Sequence, residues 1–216
     1  MMVALACLGA LALMGLVFLS GPPPRIVGHV EEFTDGLVLF KLGFVGASLI
    51  APTFAATLLL LQRVAGVPPH SARRAVAQLL LAGYLTLATV AYTTQYTFLP
   101  GLVERDPQSA GMWYLHDATS LTYALDLTGY ALLALAALVI ASTLVGSGGR
   151  LRAIAGCLVA MAALSLAALG LHAGGVAGAA SVATIGSALF TLPILLLSIA
   201  LGREIRRRSR RDEAAA

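Results

Sequence analysis

Long apolar runs alternate with short polar segments along the whole chain. A helix needs about 20 apolar residues to cross the hydrocarbon core of a bilayer. The pattern predicts an all-α, polytopic integral membrane protein: a single helical bundle of six transmembrane helices in residues 1–202, followed by a basic cytoplasmic tail in residues 203–216. The predicted spans cover about residues 2–20, 37–61, 75–96, 115–143, 151–172 and 181–201.

Two local features define the first spans. The run Gly21-Pro22-Pro23-Pro24 ends span 1, because consecutive prolines cannot continue a helix. A signal peptide is the alternative interpretation of span 1, but no Lys or Arg precedes its apolar core, so we expect it to be retained. Pro52 lies inside span 2 and predicts a kink there.

Composition agrees with this pattern. The chain is 59% hydrophobic and 11% charged, with a mean hydropathy of +0.90, whereas soluble domains are about one quarter charged. The net charge of +4 does not indicate a nucleic-acid partner, because most arginines lie at the ends of apolar runs. The expected partner is the lipid bilayer.

The basic residues also predict the orientation. The segments after spans 2 and 4 and the C-terminal tail together hold eleven of the fourteen basic residues. The remaining three are Arg25, Lys41 and Arg105. Under the positive-inside rule this asymmetry places both termini in the cytoplasm. Anionic lipid headgroups are expected to contact the tail arginines Arg206, Arg207, Arg208, Arg210 and Arg211, at about 1 kcal/mol each.

Asp126 is the acidic residue that is hardest to place outside the membrane. If Trp113 lies at the interface, Asp126 lies roughly 20 Å deeper along a helix, near the bilayer centre. An ionisable group at that depth usually faces a bundle interior or a watery cavity. Within an arc of roughly 120° on span 4, helical spacing predicts a polar stripe made of His116, Thr119, Ser120, Tyr123, Asp126 and Tyr130.

Polar residues of spans 2 and 3 are predicted to face this stripe. The resulting pocket opens to the outside, with Asp126 at its floor and Lys41 as its partner. Its predicted residues are Asp126, Tyr123, His116, Tyr130, Gln95, Tyr92 and Lys41. The alternative is that these polar groups only bind neighbouring helices together.

A metal or haem site at the outward boundary is a second hypothesis. His29, His116 and His172 are predicted near that boundary, together with several carboxylates, and imidazoles are common metal ligands. No pair of these histidines has a recognised ligand spacing. We therefore predict no cofactor in the leading interpretation and keep metal or haem as the alternative.

The layout resembles a known type of protein. A short first span, the segment DGLVLFKLGF at residues 35–44 and the run LTYALDLTGYALLALA at residues 121–136 are similar to the small six-span bacterial membrane proteins grouped as domains of unknown function. The resemblance implies six helices and a bacterial cytoplasmic (inner) membrane location. It implies no catalytic residues.

The sequence thus favours a non-catalytic, multi-pass membrane protein with both termini inside (N-in and C-in). Its outward polar pocket is predicted to bind or pass a small solute or a lipid headgroup, as a transporter does. The alternatives are a metal- or haem-binding redox enzyme or hydrolase, and an accessory subunit that assembles as a homo-oligomer or within a larger membrane complex.

Overall fold

A computed structural model describes residues 26–146 and 150–176, together with 202–203 and 206–207. The predicted spans 1 and 6 and most of the basic tail lie outside these residues. Within the described part all regular secondary structure is helical, which confirms the all-α class.

Eight helices occur in this part of the chain. Five are longer than ten residues, and two of these join into one span. The helices are α1 (Val30–Asp35), α2 (Leu37–Ser48), α3 (Ile50–Val64), α4 (Ala72–Thr97), α5 (Leu99–Arg105), α6 (Pro107–Gly111), α7 (Leu121–Leu144) and α8 (Arg150–Ala173). Four segments are long and apolar enough to cross a membrane: Leu37–Arg63, Ala72–Thr97, Leu121–Leu144 and Leu151–Ala173.

The first of these segments is broken at Leu49, between α2 and α3. Pro52 explains the position of the break, since it has no N–H to donate and its ring crowds the carbonyl group of Ser48, four residues earlier. The Leu49 carbonyl accepts from both the backbone N–H of Thr53, at 3.3 Å, and its hydroxyl, at 2.6 Å. Pro52 thus interrupts the helix of the predicted span 2 at Leu49, a few residues before the proline itself.

Helix α4 runs antiparallel to α7 and packs along it more extensively than any other described pair. Gly83 marks a close approach between the two helices, because a methyl group there would lie 2.8 Å from the Cδ1 atom of Leu132. The α2–α3 segment covers one side of α4, and α8 packs on α7. Helices α4 and α7 are therefore the central pair of the described bundle.

Large apolar side chains on the outer surface of the bundle suit contact with lipid. On α4, Leu79 is 74% exposed, and Val76 and Val90 are also exposed. Large exposed apolar side chains on a long apolar helix suit contact with a membrane or a partner. This surface and the four apolar helices are compatible with a membrane protein.

Residues 112–120 form a non-helical loop, and α7 begins at Leu121 rather than at about residue 115. The Asp117 carboxylate accepts hydrogen bonds from the backbone N–H and the hydroxyl of Thr119, at 2.9 and 2.7 Å. Ser120 then caps α7 by accepting from the Tyr123 N–H. Such local bonds compete with helix formation and favour a helix start immediately after them.

Candidate functional site

Asp126 lies near the end of the bundle that carries α5 and α6. It is the sixth residue of α7, so it lies about 7.5 Å along the helix from Leu121. The predicted depth near the bilayer centre assumed a helix that started at Trp113. Residues 112–120 form a loop instead, and the helix starts at Leu121. Asp126 therefore lies closer to one end of its helix than the sequence indicated.

Four tyrosine side chains interact with the Asp126 carboxyl group. It lies within electrostatic range of four tyrosine hydroxyls, which belong to Tyr84, Tyr92, Tyr123 and Tyr130. The Tyr92 and Tyr130 hydroxyls are hydrogen-bonded to each other at 2.9 Å. We call these five residues the Asp126 cluster. It joins one acidic group to several buried phenols.

Three polar atoms of the Asp126 cluster are buried without a hydrogen-bond partner in the described structure. They are the Oδ1 atom of Asp126 and the hydroxyl oxygens of Tyr84 and Tyr123. Buried polar atoms are hydrogen-bonded in the large majority of cases. An unsatisfied buried polar group costs about 1–3 kcal/mol. The cluster is therefore a place in the described bundle where a polar ligand could supply missing hydrogen bonds.

Helical periodicity and the α4–α7 packing assemble this cluster. Tyr84, Ala88 and Tyr92 follow each other at four-residue intervals, which places them on one face of α4. All three are buried. The antiparallel neighbour α7 brings Tyr130 against that face, with its ring centroid 5.8 Å from that of Tyr84.

Gln95 is fully buried and holds the loop at residues 112–120 against α4. Its Nε2 donates to the Trp113 carbonyl at 2.8 Å, and its Oε1 accepts from the Leu115 N–H at 3.0 Å. Both partners are main-chain groups. Gln95, predicted as a pocket residue, therefore positions the loop that leads into α7.

His116 lies in that loop, inside a ring of aromatic side chains. Its imidazole centroid is 5.4 Å from Tyr114, 5.6 Å from Phe44 and 6.4 Å from Phe40. Burial disfavours the charged form and lowers the pKa of His116 to about 4. The Phe44 ring also lies 6.4 Å from Tyr92, so an aromatic contact links His116 to the Asp126 cluster.

The other predicted site residues lie apart from this cluster or at its edge. Lys41 is half-buried on α2 and makes no ion pair with Asp126. His29 pairs with Glu32 at 3.1 Å. His172 packs against the Tyr123 ring at 5.2 Å. His29, His172 and His116 thus each have different neighbouring side chains.

The described residues contain no group of three or more His, Cys, Asp or Glu side chains that could hold a metal ion. His29, His116 and His172 are all within the searched part of the chain. Of the predicted headgroup-binding arginines, Arg206 and Arg207 are described and exposed, whereas Arg208, Arg210 and Arg211 lie outside the described residues.

Two contributors to the site were missed by sequence reasoning. Tyr84 lies two helical turns before Tyr92, and this spacing could have placed it on the same face. Phe44 was missed because an aromatic residue in an apolar span gives no signal of its own. Its position between Tyr92 and His116 depends on how α2 packs against α4.

No family model, curated protein or solved structure matches the chain. The resemblance to small six-span bacterial membrane proteins therefore stays a prediction. The described architecture defines the class, an all-helical protein with four helices of membrane-crossing length and composition. Function has to be inferred from the Asp126 cluster itself.

Proposed function

We propose that this chain is a six-span, non-catalytic protein of the bacterial inner membrane, and that the Asp126 cluster binds or passes a small solute or a lipid headgroup. The site faces the outside of the cell. In this proposal α4 and α7 supply the binding groups, while the loop held by Gln95 covers the end of the bundle nearest to them.

The observation that carries the proposal is the buried, unpartnered Oδ1 atom of Asp126. A carboxyl group kept only for structure would be expected to have its polar atoms paired, because removing them from water without compensation is costly. Asp126 forms no ion pair with another described residue. A ligand that donates a hydrogen bond would supply the missing partner.

The helical connections support the proposed orientation. Arg63, Arg73 and Arg74 lie at or beside the turn between α3 and α4, at the end of the bundle opposite to α5 and α6. Arg152 lies near the start of α8 at that same opposite end. Positively charged ends favour the cytoplasmic side, which directs the α5–α6 end and the Asp126 cluster outward.

Labelling of introduced cysteines tests this orientation. In a background with Cys7 and Cys157 replaced by serine, we expect a membrane-impermeant maleimide to label Gln108→Cys in intact cells. His70→Cys and Ser209→Cys should be labelled only after permeabilisation, because they lie on the cytoplasmic side. Labelling of His70→Cys in intact cells, with protection of Gln108→Cys, would contradict the orientation.

The substitution Asp126→Asn tests the binding function. It keeps the size of the side chain and removes its charge, so we expect a monodisperse, folded protein that has lost solute binding. The measurement is the thermal unfolding midpoint of the detergent-purified chain with millimolar butylammonium, glycerol, acetate or short-chain phosphatidylcholine. At least one of these should stabilise the wild type and leave Asp126→Asn unchanged.

Thr128→Val is the matched control, since Thr128 is exposed on the same helix and its hydroxyl bonds only to the Ala124 carbonyl. It should respond to solutes as the wild type does. Two outcomes reject the proposal. One is that no solute class stabilises the wild type, and the other is an equal loss of folded protein in Asp126→Asn and Asp126→Ala, which indicates a structural pairing role.

A further inference from the structure

When it is ionised, the Asp126 carboxylate carries a negative charge that no described side chain compensates. The described ion pair is formed by His29 and Glu32, away from α7. Lys41, the cation predicted as the partner, makes no ion pair with Asp126. The groups that interact with the carboxyl are phenols, which are neutral. An ionised Asp126 therefore needs a positive charge from outside the described residues.

The cluster that contains this carboxyl is rich in aromatic rings. The Tyr84 and Tyr130 rings lie 5.8 Å apart at an angle of 53°, and Phe44 packs at 6.4 Å from Tyr92. Cations are attracted to aromatic faces within about 6 Å of the ring centroid. A carboxylate bordered by aromatic rings suits an organic cation better than it suits a neutral sugar or an anion.

The unpartnered atoms favour a ligand that donates several hydrogen bonds. The Oδ1 atom of Asp126 can only accept when the group is ionised, and the hydroxyl oxygens of Tyr84 and Tyr123 can accept as well as donate. A primary ammonium group has three N–H donors on one charged nitrogen. It can therefore serve several of these atoms at once.

An inorganic metal ion fits the same atoms less well. Hard cations take about six to eight oxygen ligands, with carboxylates foremost among them. The cluster contributes one carboxyl, and no group of three metal-binding side chains occurs among the residues that the structure describes. The rings that border the site are poor ligands for such ions.

We propose that the ligand of the Asp126 cluster is a small primary organic ammonium ion. Its nitrogen binds Asp126 and the adjacent tyrosine hydroxyls, and its carbon chain packs against the aromatic rings. This inference rests on the proposed binding function and specifies its substrate class.

The test is isothermal titration calorimetry of the detergent-purified full chain in potassium buffer at pH 7.5. The probes are n-butylammonium, the neutral n-butanol of similar shape, tetramethylammonium and sodium chloride. We expect one butylammonium to bind per chain and n-butanol to bind at least tenfold more weakly. Tetramethylammonium should also be weaker, because it carries the charge but no N–H donor.

Variants locate the binding to the cluster. Asp126→Asn should weaken butylammonium binding at least tenfold, and Tyr130→Phe should weaken it by a smaller factor because it removes one hydroxyl and keeps the ring. Thr128→Val should leave the affinity unchanged. Equal affinity for butylammonium and n-butanol, or unchanged butylammonium affinity in Asp126→Asn, overturns the inference. Asp126-dependent binding of sodium overturns it in favour of an inorganic cation.

A failure of the organic-ammonium inference can be distinguished from a failure of the proposed binding function. If glycerol, acetate or a lipid stabilises the chain in an Asp126-dependent way and butylammonium does not, the binding site exists but its ligand is not an amine. If no probe of any class shows dependence on Asp126, the binding function itself is rejected.

Discussion

Replacing Gln95 by leucine should destabilise the end of the bundle formed by α5, α6 and the loop at residues 112–120. Leucine has a similar size but leaves the Trp113 carbonyl and the Leu115 N–H without their bonds. Each buried group left without a partner costs about 1–3 kcal/mol, so we expect a total loss of about 2–6 kcal/mol. The measurement is chemical or thermal unfolding in detergent, followed by circular dichroism.

Two variants make this prediction specific. Gln95→Glu keeps an acceptor for the Leu115 N–H but can donate to the Trp113 carbonyl only when it is protonated, so its effect should be smaller at acidic pH than at neutral pH. Thr97→Val removes an exposed hydroxyl that bonds only to the Thr93 carbonyl, so it should behave as the wild type. Hydrogen exchange of residues 112–120 should accelerate in Gln95→Leu, and unchanged exchange there would contradict the proposed role.

The stability of the protein should fall as the pH is lowered from about 6.5 to about 4, because of His116. Its folded-state pKa of about 4 lies below the ordinary value of 6.5. Between these values the unfolded chain binds a proton at this site and the folded chain does not. Neutral His116 therefore contributes about 3 kcal/mol to the free energy of unfolding. This contribution is fully present above pH 6.5 and is lost by about pH 4.

Unfolding midpoints measured across this pH range test the assignment. His116→Phe should flatten the profile, since a phenyl ring can occupy the aromatic surroundings without titrating. His29→Gln changes a histidine that is 48% exposed and should leave the slope that is due to His116 in place. A slope that persists unchanged in His116→Phe would assign the acid sensitivity to other groups.

The hydrophobic pattern was sufficient for the long helices within the described part of the chain. The predicted spans at about 75–96 and 151–172 correspond closely to Ala72–Thr97 and Leu151–Ala173. Hydrophobicity over about 20 residues is a local property, so it can be read without knowledge of neighbours. Pro52 likewise indicated a disturbance of span 2, although the break itself lies at Leu49.

The start of α7 was predicted less well, for an equally local reason. Residues 112–120 look apolar enough to extend a span, but the side chains of Asp117 and Ser120 bond to the nearby main chain and end that extension. The polar stripe that included His116 and Thr119 assumed a helix through these residues. His116 reaches its site from a loop instead.

The sequence by itself determined the all-α class, the apolar helices and the unusual position of Asp126 within one of them. The tertiary structure decided which residues of the chain contact one another. Gln95 bonds to main-chain groups 18 and 20 residues away, and Tyr92 meets Tyr130 across 38 residues. Those contacts depend on the register between α4 and α7 and on the loop that joins them, and long-range packing of this kind leaves no periodic signal along the chain.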